Sequence, residues 1–236
     1  MAIYVMSDIH GEYEMFMSLL EELELSSEDT LYVLGDVLDR GPSPIEVLLE
    51  MMKHPNIIPI AGNHEVMALT CLDFLMREIT EEHIKELDER IVDDLLLWQQ
   101  NGGMTTMDGF HRLDQRGKAE VLDYIESFSG YEEVTVNGEH YVLVHAGLGN
   151  FSPKRALEDY SIDELVWSRT DYEEMYFPDR YVVTGHTPTQ AIFDNPNPGY
   201  VYRKSRNIAI DCGACFEGRL AAVCLDTGEE FYQERE

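Results

Sequence analysis

The feature that most constrains this chain is a series of short apolar runs that each end at glycine beside aspartate, asparagine or histidine. Five loops have this character: Asp8-Ile9-His10-Gly11, Gly35-Asp36, Gly62-Asn63-His64-Glu65, His145-Ala146-Gly147 and Gly185-His186-Thr187. Short apolar runs that are bounded by glycine are typical of buried strands. In open α/β sheets, ligand-binding groups lie in the loops that follow the strands. The pattern therefore predicts an α/β protein whose polar loops form a binding site.

The first part of the chain alternates between strand and helix patterns. This alternation is typical of a parallel βαβ core. A helix is expected to begin after Ser43, because serine commonly caps helix N-termini. Strands are expected at 2–6, 29–34 and 56–60, and helices at 12–23 and 44–53.

From about residue 66 to about residue 130 the pattern becomes helical, with helices expected at 66–76, 80–100 and 118–128. This block lies between two of the polar loops, so we predict a helical cap insertion within a single domain that spans residues 1–236. Inside it, the motif Trp98-x-x-Asn101-Gly102-Gly103-x-x-Thr106 is interpreted as a turn in which a glycine ends a helix. A direct contact between Asn101 and substrate is the alternative.

The last part of the chain is rich in short strands. Strands at 131–136 and 139–144, joined by Asn137-Gly138, are a strong hairpin signal. Further strands are expected at 180–184, 191–193, 200–202, 207–210, 220–225 and 230–232. Together they predict a second sheet, and hence an α/β fold with two mixed β-sheets in a sandwich flanked by helices.

Composition excludes several classes of partner. The chain has 46 acidic and 17 basic residues, for a formal net charge of -29. Nucleic acid and anionic membranes require basic surfaces, so neither is an expected partner.

No stretch approaches the ~20 apolar residues of a membrane span. No signal peptide is expected, because the first strand begins at residue 2, and we expect a cytoplasmic protein. Cys212 and Cys215 are interpreted as part of a turn.

The segment after the second strand carries the densest chemistry. Asp36 and Asp39 are followed directly by Arg40. A buried carboxylate needs a partner, since an unpaired buried charge is costly. A metal ion suits Asp36, and capping of the following helix is the structural alternative.

The five loops and this segment resemble the calcineurin-like metallophosphoesterases, and within them the serine/threonine phosphoprotein phosphatases of the short bacterial and phage type. The resemblance spans roughly residues 3–225 and implies the metallophosphoesterase fold. It also implies hydrolysis of phosphomonoesters, with phosphoserine and phosphothreonine in proteins as the expected substrates. The attacking group would be a hydroxide that bridges two divalent metal ions. Manganese is expected from the resemblance, and iron or zinc also suits oxygen and imidazole ligands.

The resemblance also implies roles for individual residues. The first metal ion would be held by Asp8, His10 and Asp36, and the second by Asp36, Asn63, His145 and His186. Asp36 would bridge the two ions. Arg40 and Arg169 would bind phosphate oxygens, because guanidinium groups match paired oxygens. His64 would protonate the leaving oxygen and Asp39 would orient it. A surface position is the alternative for Arg169.

Three other functions are compatible with parts of this pattern. A symmetrical dinucleoside tetraphosphatase has nearly the same ligands, but such enzymes typically lack the aspartate before the arginine, here Asp39. Phosphodiesterases of the wider superfamily usually have a histidine where this chain has Pro188. A binding module without activity would be expected to lack a ligand. Tyrosine or small-molecule phosphates as substrates, and the oligomeric state, stay open.

Overall fold

The computed structural model describes residues 1–76 and 89–235. The first part of the predicted helix 80–100 lies outside these residues. The ten described strands, β1 to β10, are Ile3–Met6, Thr30–Val33, Ile57–Pro59, Tyr131–Val136, Glu139–Val144, Arg180–Thr184, Tyr202–Lys204, Asn207–Ala209, Arg219–Cys224 and Glu230–Glu234. The described helices, α1 to α7, are Tyr13–Leu23, Pro44–Met51, Asn63–Met76, Glu89–Gln100, Met104–Arg112, Gln115–Glu126 and Ile162–Val166.

The strands form two five-stranded sheets, with the orders β10-β9-β1-β2-β3 and β4-β5-β6-β8-β7. In the first sheet, β1, β2 and β3 are parallel, while β9 and β10 join as antiparallel strands. In the second sheet, β5, β6 and β8 are parallel, with antiparallel strands β4 and β7 at the edges. Both sheets are therefore mixed, which confirms the predicted fold class.

The two sheets pack against each other through one side of each strand. Val5, Leu143, Val183 and Val223 belong to a single buried cluster, although they come from both sheets. Because successive side chains on a strand point to opposite faces, their neighbours face outward. Helices α1 to α6 contribute to a core on the outer face of the first sheet, and α7 packs on the second. The result is a sandwich covered by helices.

The polar loops meet at one edge of this sandwich. Strands β1, β2, β3, β5 and β6 each run into one of the five loops identified in the sequence. Backbone hydrogen bonds join these loops directly: the Asp8 N–H donates to the Gly35 carbonyl at 3.1 Å, and the Gly185 N–H donates to the His145 carbonyl at 2.8 Å. The fold thus brings residues from position 8 to position 186 into one site.

Several predicted elements differ from the observed ones. Helix α3 begins at Asn63 rather than at residue 66. Helix α5 was not predicted, because threonine and glycine have low helix propensity; the burial of Phe110 favours it nevertheless. The predicted strand 191–193 is wrong: a 3₁₀ turn occupies Thr189–Ala191 and Phe193 is 86% exposed.

Two local sequence signals had different outcomes. The Asn137-Gly138 hairpin is confirmed, with positive φ of 52° and 84° at these residues, as a type I′ turn requires. Ser43 does precede helix α2, but its side chain makes no capping hydrogen bond. Pro44 at the first turn, with its φ already fixed near the helical value, favours the start of this helix instead.

No helix among the described residues is long and apolar enough to cross a membrane.

Truncation of a side chain between the sheets should destabilise the protein strongly. Leu143 is 0% exposed, and Leu143→Ala removes packing from both sheets at once. We expect the free energy of unfolding to fall by about 2–5 kcal/mol, measured by urea denaturation. The control Leu96→Ala, at a position that is 47% exposed, should change it by no more than about 0.5 kcal/mol. Equal losses in the two variants would contradict the sandwich interface.

Candidate active site

The backbone of the site is held in an unusual conformation. A left-handed φ is uncommon for residues other than glycine, and it costs of order 1–3 kcal/mol unless the surrounding structure enforces it. Such residues cluster at functional sites. Six of the residues singled out in the sequence have this conformation, with φ between 46° and 70°: Asp8, His10, Asp36, Asp39, Arg40 and His186.

The carboxylate of Glu65 fixes the central loop, which is residues 34–43 between β2 and α2. One oxygen accepts hydrogen bonds from the N–H groups of Val37 at 2.9 Å and Leu38 at 3.1 Å, and the other from those of Asp36 at 2.8 Å and Gly62 at 2.9 Å. Glu65 is 1% exposed. Burial raises the pKa of this carboxyl, and the hydrogen bonds from the backbone N–H groups oppose that rise. Glu65 ends one of the five loops, but its position in the sequence alone does not indicate this role.

Asp36 presents its two oxygens to different histidines. Oδ2 lies 3.5 Å from His10 Nε2, and Oδ1 lies 3.4 Å from His145 Nε2. Burial, followed by the negative charges of Asp8 and Glu65, raises the pKa of Asp36 well above its usual value. A cation beside this carboxylate would offset that cost. The arrangement is the one that a bridging ligand needs.

Two imidazoles have the tautomer of metal ligands. Nδ1 of His10 donates to the Leu38 carbonyl at 2.8 Å, and Nδ1 of His145 donates to the Leu34 carbonyl at 2.7 Å. A carbonyl can only accept, so Nδ1 of each ring carries a proton, and in the neutral ring the lone pair of Nε2 faces the site. Histidines that bind metals are oriented in this way by their second nitrogen.

The second group of ligand atoms converges on His145 Nε2. Asn63 Oδ1 and His186 Nδ1 each lie 3.1 Å from it. The donor atoms of Asp36, His145 and His186 lie within 4.8 Å of one another. In the neutral ring with its proton on Nδ1, the Nε2 lone pair faces the amide oxygen of Asn63, and a cation between these two atoms would stabilise them. These atoms therefore fit a divalent metal ion with nitrogen and oxygen ligands.

The first group of ligand atoms differs from the expected set. The clustered donors here are those of His10, Asp36 and His64. Asp8 is buried beside the Gly185-His186-Thr187 loop. Its carboxylate accepts hydrogen bonds from the Ser7 hydroxyl and, at 2.9 Å, from the His186 N–H. The role of Asp8 as a ligand stays a prediction.

Both predicted phosphate-binding arginines lie at the site. Arg40 Nη1 is 2.9 Å from His10 Nε2, and Arg40 Nη2 is 3.0 Å from His64 Nε2. A guanidinium only donates, so both nitrogens accept. Arg169 is exposed at the opposite end, where Nη1 donates to the His186 carbonyl at 2.9 Å and to Thr187 Oγ1 at 2.8 Å. The positive groups thus flank the ligand atoms on both sides.

His64 and Asp39 form a buried pair, with 2.6 Å between His64 Nδ1 and Asp39 Oδ2. Burial and the Arg40 guanidinium lower the pKa of His64 to about 2, while burial raises the pKa of Asp39 to about 7 against hydrogen bonds from Thr106 and Trp98. At neutral pH the imidazole is therefore neutral while Arg40 contacts it. Its Nε2 faces the ligand atoms, 3.9 Å from Asp36 Oδ2.

The two cysteines of the late loop do not offer a thiolate. Cys212 is buried, Cys215 is partly buried, and neither forms a disulfide. Burial raises the pKa of Cys212 to about 12 and that of Cys215 to about 11. A 3₁₀ turn at Ala214–Phe216 includes the second cysteine. The structure agrees with the interpretation of this segment as a turn.

Imidazole, carboxylate and amide side chains beside two guanidinium groups are the groups with which hydrolases cleave phosphate esters through metal ions. The family comparison agrees with this class. The sequence model of the calcineurin-like phosphoesterases matches residues 1–211, and the chain belongs to that family.

Individual relatives lie in two groups. Serine/threonine-protein phosphatase 2 of Escherichia coli is 27% identical over 231 residues, which cover 93% of this chain and 90% of that protein. A symmetrical bis(5'-nucleosyl)-tetraphosphatase of Chromobacterium violaceum is 29% identical over 177 residues, which cover 74% of this chain and 53% of that protein. The structure of a protein serine/threonine phosphatase from Saccharomyces cerevisiae superposes with a TM-score of 0.59 at 17% identity, covering all of this chain and 81% of that one. The last likeness shows the shared fold.

Replacing Glu65 by glutamine should destabilise the central loop. An amide NH₂ in place of one oxygen would face two backbone N–H groups that now have an acceptor. We expect the free energy of unfolding to fall by about 1–3 kcal/mol for each donor left unpaired, measured by thermal and urea denaturation. Glu21→Gln, at an exposed position, is the control and should behave like the wild type. Unchanged stability in Glu65→Gln would show that the loop does not depend on this carboxylate.

Proposed function

We propose that this protein is a metal-dependent phosphomonoesterase that acts on phosphoserine and phosphothreonine in proteins. The observation that carries the proposal is the His64–Asp39 pair, which lies beside Arg40 and the ligand atoms of Asp36. A serine or threonine alkoxide is a poor leaving group and needs a proton as it departs. The phosphate leaving group of a dinucleoside tetraphosphate is already a stable anion. A positioned acid therefore favours monoesters of alcohols.

Two divalent metal ions are expected as cofactors, with manganese first and iron or zinc as alternatives. Asp36 would be shared between the ions. When bound, such ions supply an activated water and stabilise charge on the phosphoryl group. The first ion would be held by Asp8, His10 and Asp36, and the second by Asp36, Asn63, His145 and His186.

The arginines would bind the phosphate of the substrate. Arg40 now donates to Nε2 of both His10 and His64. A phosphate dianion offers this guanidinium a stronger acceptor, because hydrogen bonds between charged groups are about twice as strong as neutral ones. A phosphate dianion that pairs with Arg40 offsets the guanidinium charge, which is one cause of the lowered pKa of His64, and so raises that pKa. His64 Nε2 would then take up a proton from solvent and pass it to the leaving oxygen, while Asp39 holds Nδ1. Arg169 would bind the phosphate from the other side.

The domain organisation and the role of the helical insertion are also proposals. We propose a single domain over residues 1–236 in which residues 66–130 form a helical cap insertion. Helices α3 to α6 lie between β3 and β4, and Trp98 on α4 reaches Asp39. This position supports a role in shaping access to the site. With a net charge of -29, nucleic acid and anionic membranes are not proposed as partners.

The alternative function is a symmetrical dinucleoside tetraphosphatase or another small-molecule phosphoesterase. The Chromobacterium violaceum relative, which carries that name, favours it. The Escherichia coli relative, which is named a serine/threonine-protein phosphatase, matches over nine-tenths of both chains and supports the first proposal.

A substrate panel with added Mn²⁺ tests the proposal. We expect chelator-treated protein to be inactive, and Mn²⁺ to restore hydrolysis of phosphoserine and phosphothreonine peptides and of aryl phosphates. Bis-aryl phosphate and diadenosine tetraphosphate should be poor substrates. Far faster turnover of diadenosine tetraphosphate than of any phosphomonoester would establish the alternative function instead.

His64→Asn should reduce activity in a way that depends on the leaving group. General acid catalysis contributes roughly 10²–10⁴-fold, so we expect a loss of that order on phosphoserine peptides. Nitrophenolate is a stable anion near neutral pH, so the loss on nitrophenyl phosphate should be distinctly smaller. Measured kcat values with both substrates give the ratio, and metal analysis should match the wild type. His54→Asn, at an exposed position three residues after the end of α2, is the control. Equal losses on both substrates would mean that His64 positions phosphate rather than donating a proton.

A further inference from the structure

We propose that Trp98 and Thr106 are positioning residues that aim the Asp39 carboxylate at His64, a role that rests on the proposed function of that pair. Both residues belong to the helical block, and both belong to the motif that the sequence analysis interpreted as a turn. Trp98 is 2% exposed and Thr106 is 0% exposed. Neither side chain can reach solvent, so their polar atoms serve groups inside the protein.

Three side chains share the Asp39 carboxylate. Trp98 Nε1 donates to both oxygens, at 3.1 Å to Oδ1 and 2.9 Å to Oδ2. Thr106 Oγ1 donates to Oδ1 at 2.6 Å. His64 Nδ1 takes the remaining direction, at 2.6 Å from Oδ2. Because an indole N–H and a threonine hydroxyl fix two of the approaches, the carboxylate has one orientation, and that orientation points Oδ2 at the imidazole.

Thr106 also holds the backbone beneath that carboxylate. Its Oγ1 accepts a hydrogen bond from the Asp39 N–H at 2.9 Å, while the next N–H, that of Arg40, donates to the Gly102 carbonyl at 3.1 Å. Asp39 and Arg40 are consecutive left-handed residues, with φ of 70° and 64°. Two such residues in succession persist only where neighbouring groups enforce them. The motif supplies those neighbours from outside the loop.

Gly103 and Asn101 of the motif support the position of Trp98 and the end of α4. A Cβ on Gly103 would lie 2.5 Å from the Trp98 ring, so glycine at this position lets the indole pack closely against the backbone. The Asn101 side chain donates to the Leu97 carbonyl on its own helix at 2.8 Å. This bond assigns Asn101 to the end of α4 and gives no support to a contact with substrate. The motif is therefore built around Asp39 and Arg40 as well as around a turn.

Loss of these donors should affect proton delivery more than phosphate binding or metal binding. A carboxylate that is free to rotate no longer fixes the ring of His64, whose Nε2 must face the leaving oxygen. Thr106→Val also removes the acceptor of the Asp39 N–H, but Arg40 keeps its hydrogen bond to the Gly102 carbonyl and its side-chain contacts to His10 and His64. The proposed metal ligands do not contact either donor. The loss should therefore be large only where the leaving group needs a proton, which a general loss of folded protein would not produce.

Two variants remove one donor each. Thr106→Val keeps the side-chain shape and removes the hydroxyl, and Trp98→Phe removes the N–H while it keeps an aromatic ring. Each should lower kcat on phosphoserine peptides by about 10–100-fold, a part of what a general acid contributes, with at most about a threefold loss on nitrophenyl phosphate. Thr106→Ser, which retains the hydroxyl, should restore most of the lost activity. Metal content and circular dichroism should match the wild type.

Thr105→Val is the matched control. Thr105 precedes Thr106 on the same helix, but its hydroxyl donates to the Gly102 carbonyl at 3.3 Å. Its substitution should leave the ratio of the two kcat values unchanged. If Thr106→Val does not fold, Trp98→Phe decides the question.

The outcomes separate this proposal from the proposed function. A selective loss in His64→Asn, with no loss or an equal loss on both substrates in Thr106→Val and Trp98→Phe, would overturn the positioning role while the acid role of His64 stands. Failure of Thr106→Ser to restore the selectivity would also count against it. Absence of phosphomonoesterase activity in the wild-type protein would overturn the proposed function, and the positioning role with it.

Discussion

The site depends on one buried carboxylate. Glu65, in the first turn of α3, accepts four backbone N–H groups from the loops that follow β2 and β3. One of these N–H groups belongs to Asp36, whose oxygens face His10 and His145. The position of the expected bridging ligand is thereby set by the protein itself. The buried Glu65 carboxylate is tolerated here because each of its two oxygens accepts two hydrogen bonds from backbone N–H groups.

The central loop is supported from two sides. Glu65 holds its first half from α3, and the motif on α4 and α5 holds Asp39 and Arg40 in its second half. The helical block between β3 and β4 is therefore part of the scaffold of the site. Since the same loop carries Asp36, a proposed metal ligand, and Arg40, a proposed phosphate-binding residue, its rigidity would serve both metal binding and substrate binding.

Local patterns in the sequence were sufficient for the fold class and for the placement of the polar loops, but they wrongly assigned β9 and β10 to the second sheet, whereas β9 pairs with β1 in the first. Apolar runs that end at glycine located the strand ends, and Asn137-Gly138 located the hairpin, because each signal lies within a few residues. Long-range contacts could not be predicted in this way. Trp98 and Thr106 donate hydrogen bonds to Asp39, from which they are 59 and 67 positions away in the chain. No rule of residue spacing predicts that this motif contacts the Asp39 carboxylate. Glu65 was missed for the same reason.

The left-handed backbone of the site restricts which amino acids can occupy it. Asp8, His10, Asp36 and His186 combine ligand chemistry with φ between 46° and 62°, and aspartate, asparagine and histidine are the types that tolerate this region best after glycine. The same few amino acids thus meet a chemical and a conformational requirement together. Exchange of Asp36 for threonine would keep an oxygen donor but add a β-branched side chain that this backbone excludes. Fewer amino acid types can therefore occupy these positions than coordination chemistry alone would allow.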